Sequence, residues 1–103
     1  MKRCKFQALV TPNASGEARA KLSSGSHRMV VRVENSETRR SQVFAALVDA
    51  DEEGPFRPGK PEVMVILRVI GDDIADYLHI GSHFSLWSGS DVGRGVVTRR
   101  LFH

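Results

Sequence analysis

The stretch Glu62-Val63-Met64-Val65-Ile66-Leu67-Arg68-Val69-Ile70 has the clearest pattern in this 103-residue chain. One of its two alternating faces carries only apolar residues, which are Val63, Val65, Leu67 and Val69. The other face is also mostly apolar and includes Arg68. Alternation with many β-branched residues predicts a strand, and two largely apolar faces predict that this strand is central or covered on both sides.

Further strand-like segments lie on both sides of this stretch. They are Lys5–Val10, Arg28–Val33, Ser41–Val48, His83–Trp87 and Arg94–Phe102. By propensity Ser41–Val48 could be helix or strand, and strand is favoured because polar turns bound its short apolar run. The last two are joined by a short polar turn, which predicts a hairpin at the end of the chain. Short strands separated by turns, without a sustained helical period, predict an all-β barrel or sandwich. The length predicts one domain, spanning residues 1–103.

Three longer segments are predicted to be loops. Residues 13–26 are rich in Ser, Gly and Ala, and a helical turn near Glu17–Leu22 is an alternative there. Residues 49–62 contain the turn marker Pro58-Gly59. In residues 71–81 we expect Ile74, together with Tyr77 and Leu78, to anchor the loop on the core.

Composition limits the class of protein. The hydrophobic content is 41%, and the longest apolar run, Val63–Leu67, is far shorter than the roughly 20 residues of a membrane-spanning helix. The amino terminus has no apolar segment typical of a signal peptide. The chain holds a single cysteine, Cys4, which excludes an internal disulfide. We therefore expect a cytoplasmic protein that does not associate with membranes.

Charge is distributed unevenly along the chain. The 15 basic and 12 acidic residues give a net charge of +3, but both ends are basic and the middle, from Asp49 to Asp91, is acidic. If the two ends lie together in the fold, their basic residues form one patch that attracts polyanions. The alternative is that both regions are ordinary solvated surface.

The order of these segments resembles the carboxy-terminal β-barrel, the third domain, of the translation elongation factor EF-Tu. The strongest match is Val92–Leu101, which resembles the closing strand of that family with its Val-Gly-x-Gly-Val-Val core. The segments His83–Trp87, Phe56–Val63 and Lys5–Val10 resemble the preceding strand, a Pro-Gly turn and the opening strand of the family. These pieces together cover nearly the whole chain.

The resemblance implies a single six-stranded antiparallel Greek-key barrel whose first and last segments lie close together. Gly93 and Gly95 would then sit where the closing barrel brings backbones close to one another. The chain contains no Gly-x-x-x-x-Gly-Lys-[Ser/Thr] loop and is too short for a GTPase. We therefore expect a freestanding barrel without a nucleotide-binding domain.

The sequence contains no catalytic constellation, and we predict a protein that is not an enzyme and needs no cofactor. Asp72-Asp73-x-x-Asp76 has the spacing of an acidic cation-binding motif, but a solvated acidic loop or helix cap is the favoured interpretation. His79 and His83 lack an obvious third metal ligand. Trp87 is either a stacking platform for a nucleic-acid base or a cap on the barrel or an interface.

Two functions remain as hypotheses. In the first, the barrel contacts RNA or a translation-related ribonucleoprotein through a basic face formed by Arg28, Arg32, Arg94, Arg99 and Arg100. Strand alternation places Arg94 and Arg100 on one face of the last strand and Arg99 on the other, and Lys2, Arg3 and Lys5 would join the surface from the first strand. In the second hypothesis the barrel is a protein–protein interaction module without nucleic-acid binding, and its acidic loops are equally important.

Overall fold

The computed structural model describes residues 2–13, 18, 21–22, 25–35, 37–50 and 62–101. The strands are β1 (Lys2–Pro12), β2 (Ser26–Glu34), β3 (Ser41–Ala50), β4 (Val63–Gly71), β5 (His83–Trp87) and β6 (Asp91–Leu101). A helical turn, α1 (Ile74–Tyr77), lies between β4 and β5, and the described residues Ala18, Lys21 and Leu22 are also helical. The predicted all-β class is confirmed.

The strands form a closed antiparallel barrel in the order β1-β4-β3-β2-β5-β6. Strands β2, β3 and β4 are neighbours in sequence order, and β1 lies beside β4, which is a Greek-key arrangement. Pairing of β6 with β1 closes the barrel, and β5 and β6 form the predicted hairpin. The six-stranded antiparallel Greek-key barrel is therefore confirmed.

Strand β4 shows how alternation builds the core. Its inward residues Val65 and Leu67 are fully buried and lie opposite Ala8 and Phe6 of β1. The strand is central, because β1 and β3 flank it on its two sides. Its outer face is only partly covered, since Ile70 is 40% exposed.

Residues outside the strands complete the core. Ile74, the first residue of α1, and Leu78, which follows α1, are buried, as predicted for the anchors of the 71–81 loop. The ring of Tyr77 packs edge-on against Phe44, with ring centroids 6.0 Å apart. Ala18 and Leu22 are buried, and Ala18, Lys21 and Leu22 are helical, which agrees with the alternative of a helical turn near Glu17–Leu22 within residues 13–26. The predicted Pro58-Gly59 turn lies outside the described residues.

The two glycines of β6 occupy tight positions. A Cβ atom on Gly93 would lie 2.4 Å from the backbone oxygen of Thr11 on β1. A Cβ atom on Gly95 would lie 2.6 Å from the ring of Phe84 and 3.0 Å from the backbone oxygen of Leu9. The predicted close approach at both glycines is confirmed, because no side chain fits there without a shift of its neighbours.

Candidate nucleic-acid interface

Two of the candidate arginines, Arg32 and Arg94, lie on the outside of the barrel on the two strands that flank β5. Arg32 of β2 is opposite Ser85 of β5, and Ser85 is in turn opposite Arg94 of β6. Facing residues of an antiparallel pair point to the same side, and both arginines are exposed. Two strand spacings place their backbones about 10 Å apart. The sequence pattern did not single out Ser85 as a binding residue, although its two-residue spacing from Trp87 places both side chains on the same face of β5.

An exposed indole adjoins this row of residues. Trp87 lies two residues beyond Ser85 on the outer face of β5 and is 46% exposed. Its neighbours in register are Val30 of β2 and Asp91 of β6. A half-exposed tryptophan on the outer wall does not cap the barrel interior, so of the two interpretations of Trp87 this position excludes the interior cap.

These side chains line a groove of about 570 Å³, which we call the Arg-Trp groove. Its polar and aromatic lining includes Arg32, Glu34, His83, Ser85, Trp87, Asp91 and Arg94. The carboxylates stand at its edges, since Glu34 follows Arg32 by two residues and Asp91 faces Trp87. Among the described residues, no carboxylate forms an ion pair with Arg32 or Arg94. The two guanidinium groups therefore lie in the middle of the groove with one carboxylate towards each end, and these four charges cancel formally.

The remaining candidate arginines lie elsewhere. Arg28 is on the outer face of β2, beyond Val30, and is opposite Leu47 of β3. Arg99 is opposite Gln7 on β1, on the side of the barrel where β6 closes. Arg28, Arg32, Arg94, Arg99 and Arg100 are thus divided among several places and do not form one continuous patch.

The expectation that Arg94 and Arg100 share a face of β6 is wrong. The register between β1 and β6 shifts between Gln7 and Ala8, which face Arg99 and Val97 respectively, so Thr98 is an extra residue on β6. Such a bulge interrupts the two-residue alternation. Arg99 therefore points outward with Arg94, whereas Arg100 is opposite buried Phe6, and its Nη2 donates to Cys4 Sγ over 3.7 Å.

The basic residues of β1 also lie outside the Arg-Trp groove. Arg3 is opposite Ile70 of β4, and Lys5 is opposite both Arg68 of β4 and Leu101 of β6. The first and last strands do pair, as the resemblance implies. Their pairing brings Arg94 beside Thr11 rather than beside the basic residues at the start of β1.

The alternative metal-binding candidates are exposed and dispersed. Asp72, Asp73 and Asp76 lie on the surface around the α1 turn, and His79 follows it. Within the part of the chain that the structure describes, no three His, Cys, Asp or Glu side chains converge to hold a metal ion.

The described helical segments include none that is long and apolar enough to cross a membrane.

Comparisons with models of protein families, with curated proteins and with solved structures give no match to this chain.

Proposed function

We propose that this barrel is a non-catalytic binding module that contacts RNA through the Arg-Trp groove. The observation that carries the proposal is the row Arg32-Ser85-Arg94 across three strands, with the half-exposed ring of Trp87 beside it. Guanidinium groups bind phosphate oxygens through two parallel hydrogen bonds, and an exposed indole stacks on a nucleic-acid base. Both elements occur together in this groove.

The groove favours RNA with unpaired bases. A base can stack on Trp87 only if it is free of its own helix, as in loops, bulges and single strands. The phosphates next to that base would then reach Arg32 and Arg94. Glu34 and Asp91 at the edges of the groove repel further phosphates, so the contact is short and involves about two phosphates.

The resemblance to the third domain of EF-Tu is part of this proposal. A six-stranded antiparallel barrel with paired first and last strands is the architecture that the resemblance implies, and the tight positions of Gly93 and Gly95 agree with it. A freestanding barrel of this kind would act on a translation-related RNA or ribonucleoprotein in the cytoplasm. It would do so without hydrolysing a nucleotide.

The test compares RNA affinities of surface variants. We expect Trp87→Ala to weaken binding of a fluorescein-labelled poly(U) RNA about tenfold, since stacking contributes about 1–3 kcal/mol per base. Arg94→Ala should weaken it by a similar factor, because a charge-assisted hydrogen bond contributes about 1.5–3 kcal/mol. Fluorescence anisotropy measures both affinities.

The matched control is Arg99→Ala, which removes an exposed arginine from the same strand but outside the groove. Its RNA affinity should equal that of the wild type. Equal losses from Arg94→Ala and Arg99→Ala would contradict a defined groove and indicate binding to basic surface in general.

A further inference from the structure

A second groove lies on the outer face of β1, β4, β3 and β2, next to the Arg-Trp groove but without its tryptophan. Its volume is about 610 Å³. The floor is formed by Ala45, Leu47 and Ile70, and the rim by three arginines, Arg3, Arg28 and Arg68. We call it the arginine-rimmed groove.

Floor and rim alternate in the register of the sheet. Leu47 of β3 is opposite Arg28 on one side and Arg68 on the other. Ile70 of β4 is opposite Ala45 on one side and Arg3 on the other. The two large apolar side chains of the floor, Leu47 and Ile70, are therefore each flanked by at least one guanidinium group on a neighbouring strand.

The charge of the rim is only partly balanced. Arg68 Nε lies 3.6 Å from Asp49 Oδ2, and the Arg68 side chain is 57% exposed, so this ion pair contributes little. Asp49 also accepts a hydrogen bond from Ser26 Oγ. Neither Arg3 nor Arg28 pairs with a carboxylate in the described ranges. The groove therefore carries a positive excess around an apolar floor.

The residues that line the groove indicate which kind of molecule it can bind. The groove lining contains no aromatic ring, so a nucleic-acid base has no stacking platform there. A second copy of the chain would bring arginine rims against each other, and like charges across an interface are unfavourable. Leu47 and Ile70 fit an aliphatic or aromatic side chain, and the arginines fit carboxylates on either side of it.

We propose that the arginine-rimmed groove is a docking site for an acidic segment of a partner protein. One large apolar side chain of that segment packs over Leu47 and Ile70. Aspartates or glutamates flanking it pair with Arg28 and Arg68, which lie on either side of Leu47, and with Arg3 beside Ile70. This assigns Arg28, a candidate for RNA contact from the sequence, to protein binding.

The first test selects peptides from a random phage-displayed library on the immobilised protein. The enriched peptides should carry Asp or Glu on both sides of Leu, Ile, Met or Phe. A synthetic peptide of the enriched sequence should bind in solution, and replacing either its apolar residue by Ser or its acidic residues by Lys should abolish binding. No enrichment, or enrichment of basic peptides, would overturn the proposal.

Variants of the protein locate the binding site. Leu47→Asp places a carboxylate between Arg28 and Arg68 and should weaken the peptide about tenfold or more, as expected for the centre of an interface. The matched control is Val43→Asp, on the same outer face of β3, where Val43 is 58% exposed and outside this groove. Thermal unfolding verifies that both variants are folded, and equal peptide affinities for the two would overturn the proposal.

The last arm separates protein binding from RNA binding. Leu47→Asp should leave the affinity for poly(U) RNA unchanged within about twofold, because it adds one charge outside the Arg-Trp groove. A loss of RNA affinity as large as the loss of peptide affinity would show an RNA surface here and overturn the proposal. If the wild-type protein binds the peptide but no RNA, that result contradicts the proposed RNA-binding function and supports the docking site.

Discussion

At the level of single residues, the glycines of β6 show how a closed barrel determines residue identity. At Gly95, the space that a side chain would need is occupied mainly by the ring of Phe84. The space at Gly93 is taken up by the backbone of Thr11 and Pro12, which moves only if β1 moves. Gly93 is therefore the less replaceable of the two.

We expect Gly93→Ala to lower the free energy of unfolding by about 1–3 kcal/mol, because the added methyl group forces β1 and β6 apart. The control is Ser90→Ala in the exposed turn before β6, which should stay within about 0.5 kcal/mol of the wild type. Urea denaturation followed by tryptophan fluorescence measures both. A Gly93→Ala protein as stable as Ser90→Ala would contradict the close contact between the strands.

The resemblance of Val92–Leu101 to the closing strand of the EF-Tu barrel predicted tight positions for these glycines, because only a residue without a Cβ fits a close backbone approach. The direction of Arg100 could not be predicted in the same way. It depends on the extra residue Thr98, and a bulge is defined by the partner strand rather than by the sequence of the strand itself.

At the level of elements, β4 contributes to stability mainly through its inner face. Leu67 is fully buried, whereas Ile70 on the outer face is 40% exposed. Leu67→Ala should lower the free energy of unfolding by about 2–5 kcal/mol, through lost burial and the cavity left behind. Ile70→Ala, the control from the same strand, should cause a clearly smaller loss in the same denaturation experiment. Equal losses would contradict the difference in burial between the inner and the outer face of β4.

The bulge in β6 can be tested by cross-linking. In a Cys4→Ser background, the pair Gln7→Cys and Arg99→Cys should form a disulfide on mild oxidation, because these residues face each other across β1 and β6. The pair Gln7→Cys and Arg100→Cys should not, since position 100 points to the other side of the sheet. Free-thiol titration measures the outcome, and the reverse result would contradict the register.

The strands were predicted well where alternation or bounding turns marked them, whereas the burial of one segment between strands was missed. The β3 segment was correctly assigned to a strand because polar turns bound a short apolar run. The burial of Ala18 and Leu22 was missed, because a segment rich in small and polar residues has the composition of a loop.

At the level of the whole molecule, the order of strands in the closed barrel places five of the arginines in two separate grooves. Strand β2 lies beside β5, and β1 lies beside β4, although these pairs are distant in sequence. This places Arg32 with Arg94 and Trp87, and Arg28 with Arg3 and Arg68. The uneven charge of the chain predicted a basic surface, but its division into two grooves follows from the register between strands.

The most direct test of the central claim is the salt dependence of RNA binding by the wild-type protein. The affinity for poly(U) should fall linearly with the logarithm of salt concentration, with a slope of about −1.4, because roughly 0.7 counterions are released per single-strand phosphate and about two phosphates are bound. The Arg94→Ala variant should give a slope of about half that size. Wild-type protein that shows no salt-dependent RNA binding near physiological salt would contradict the claim that this barrel is an RNA-binding module.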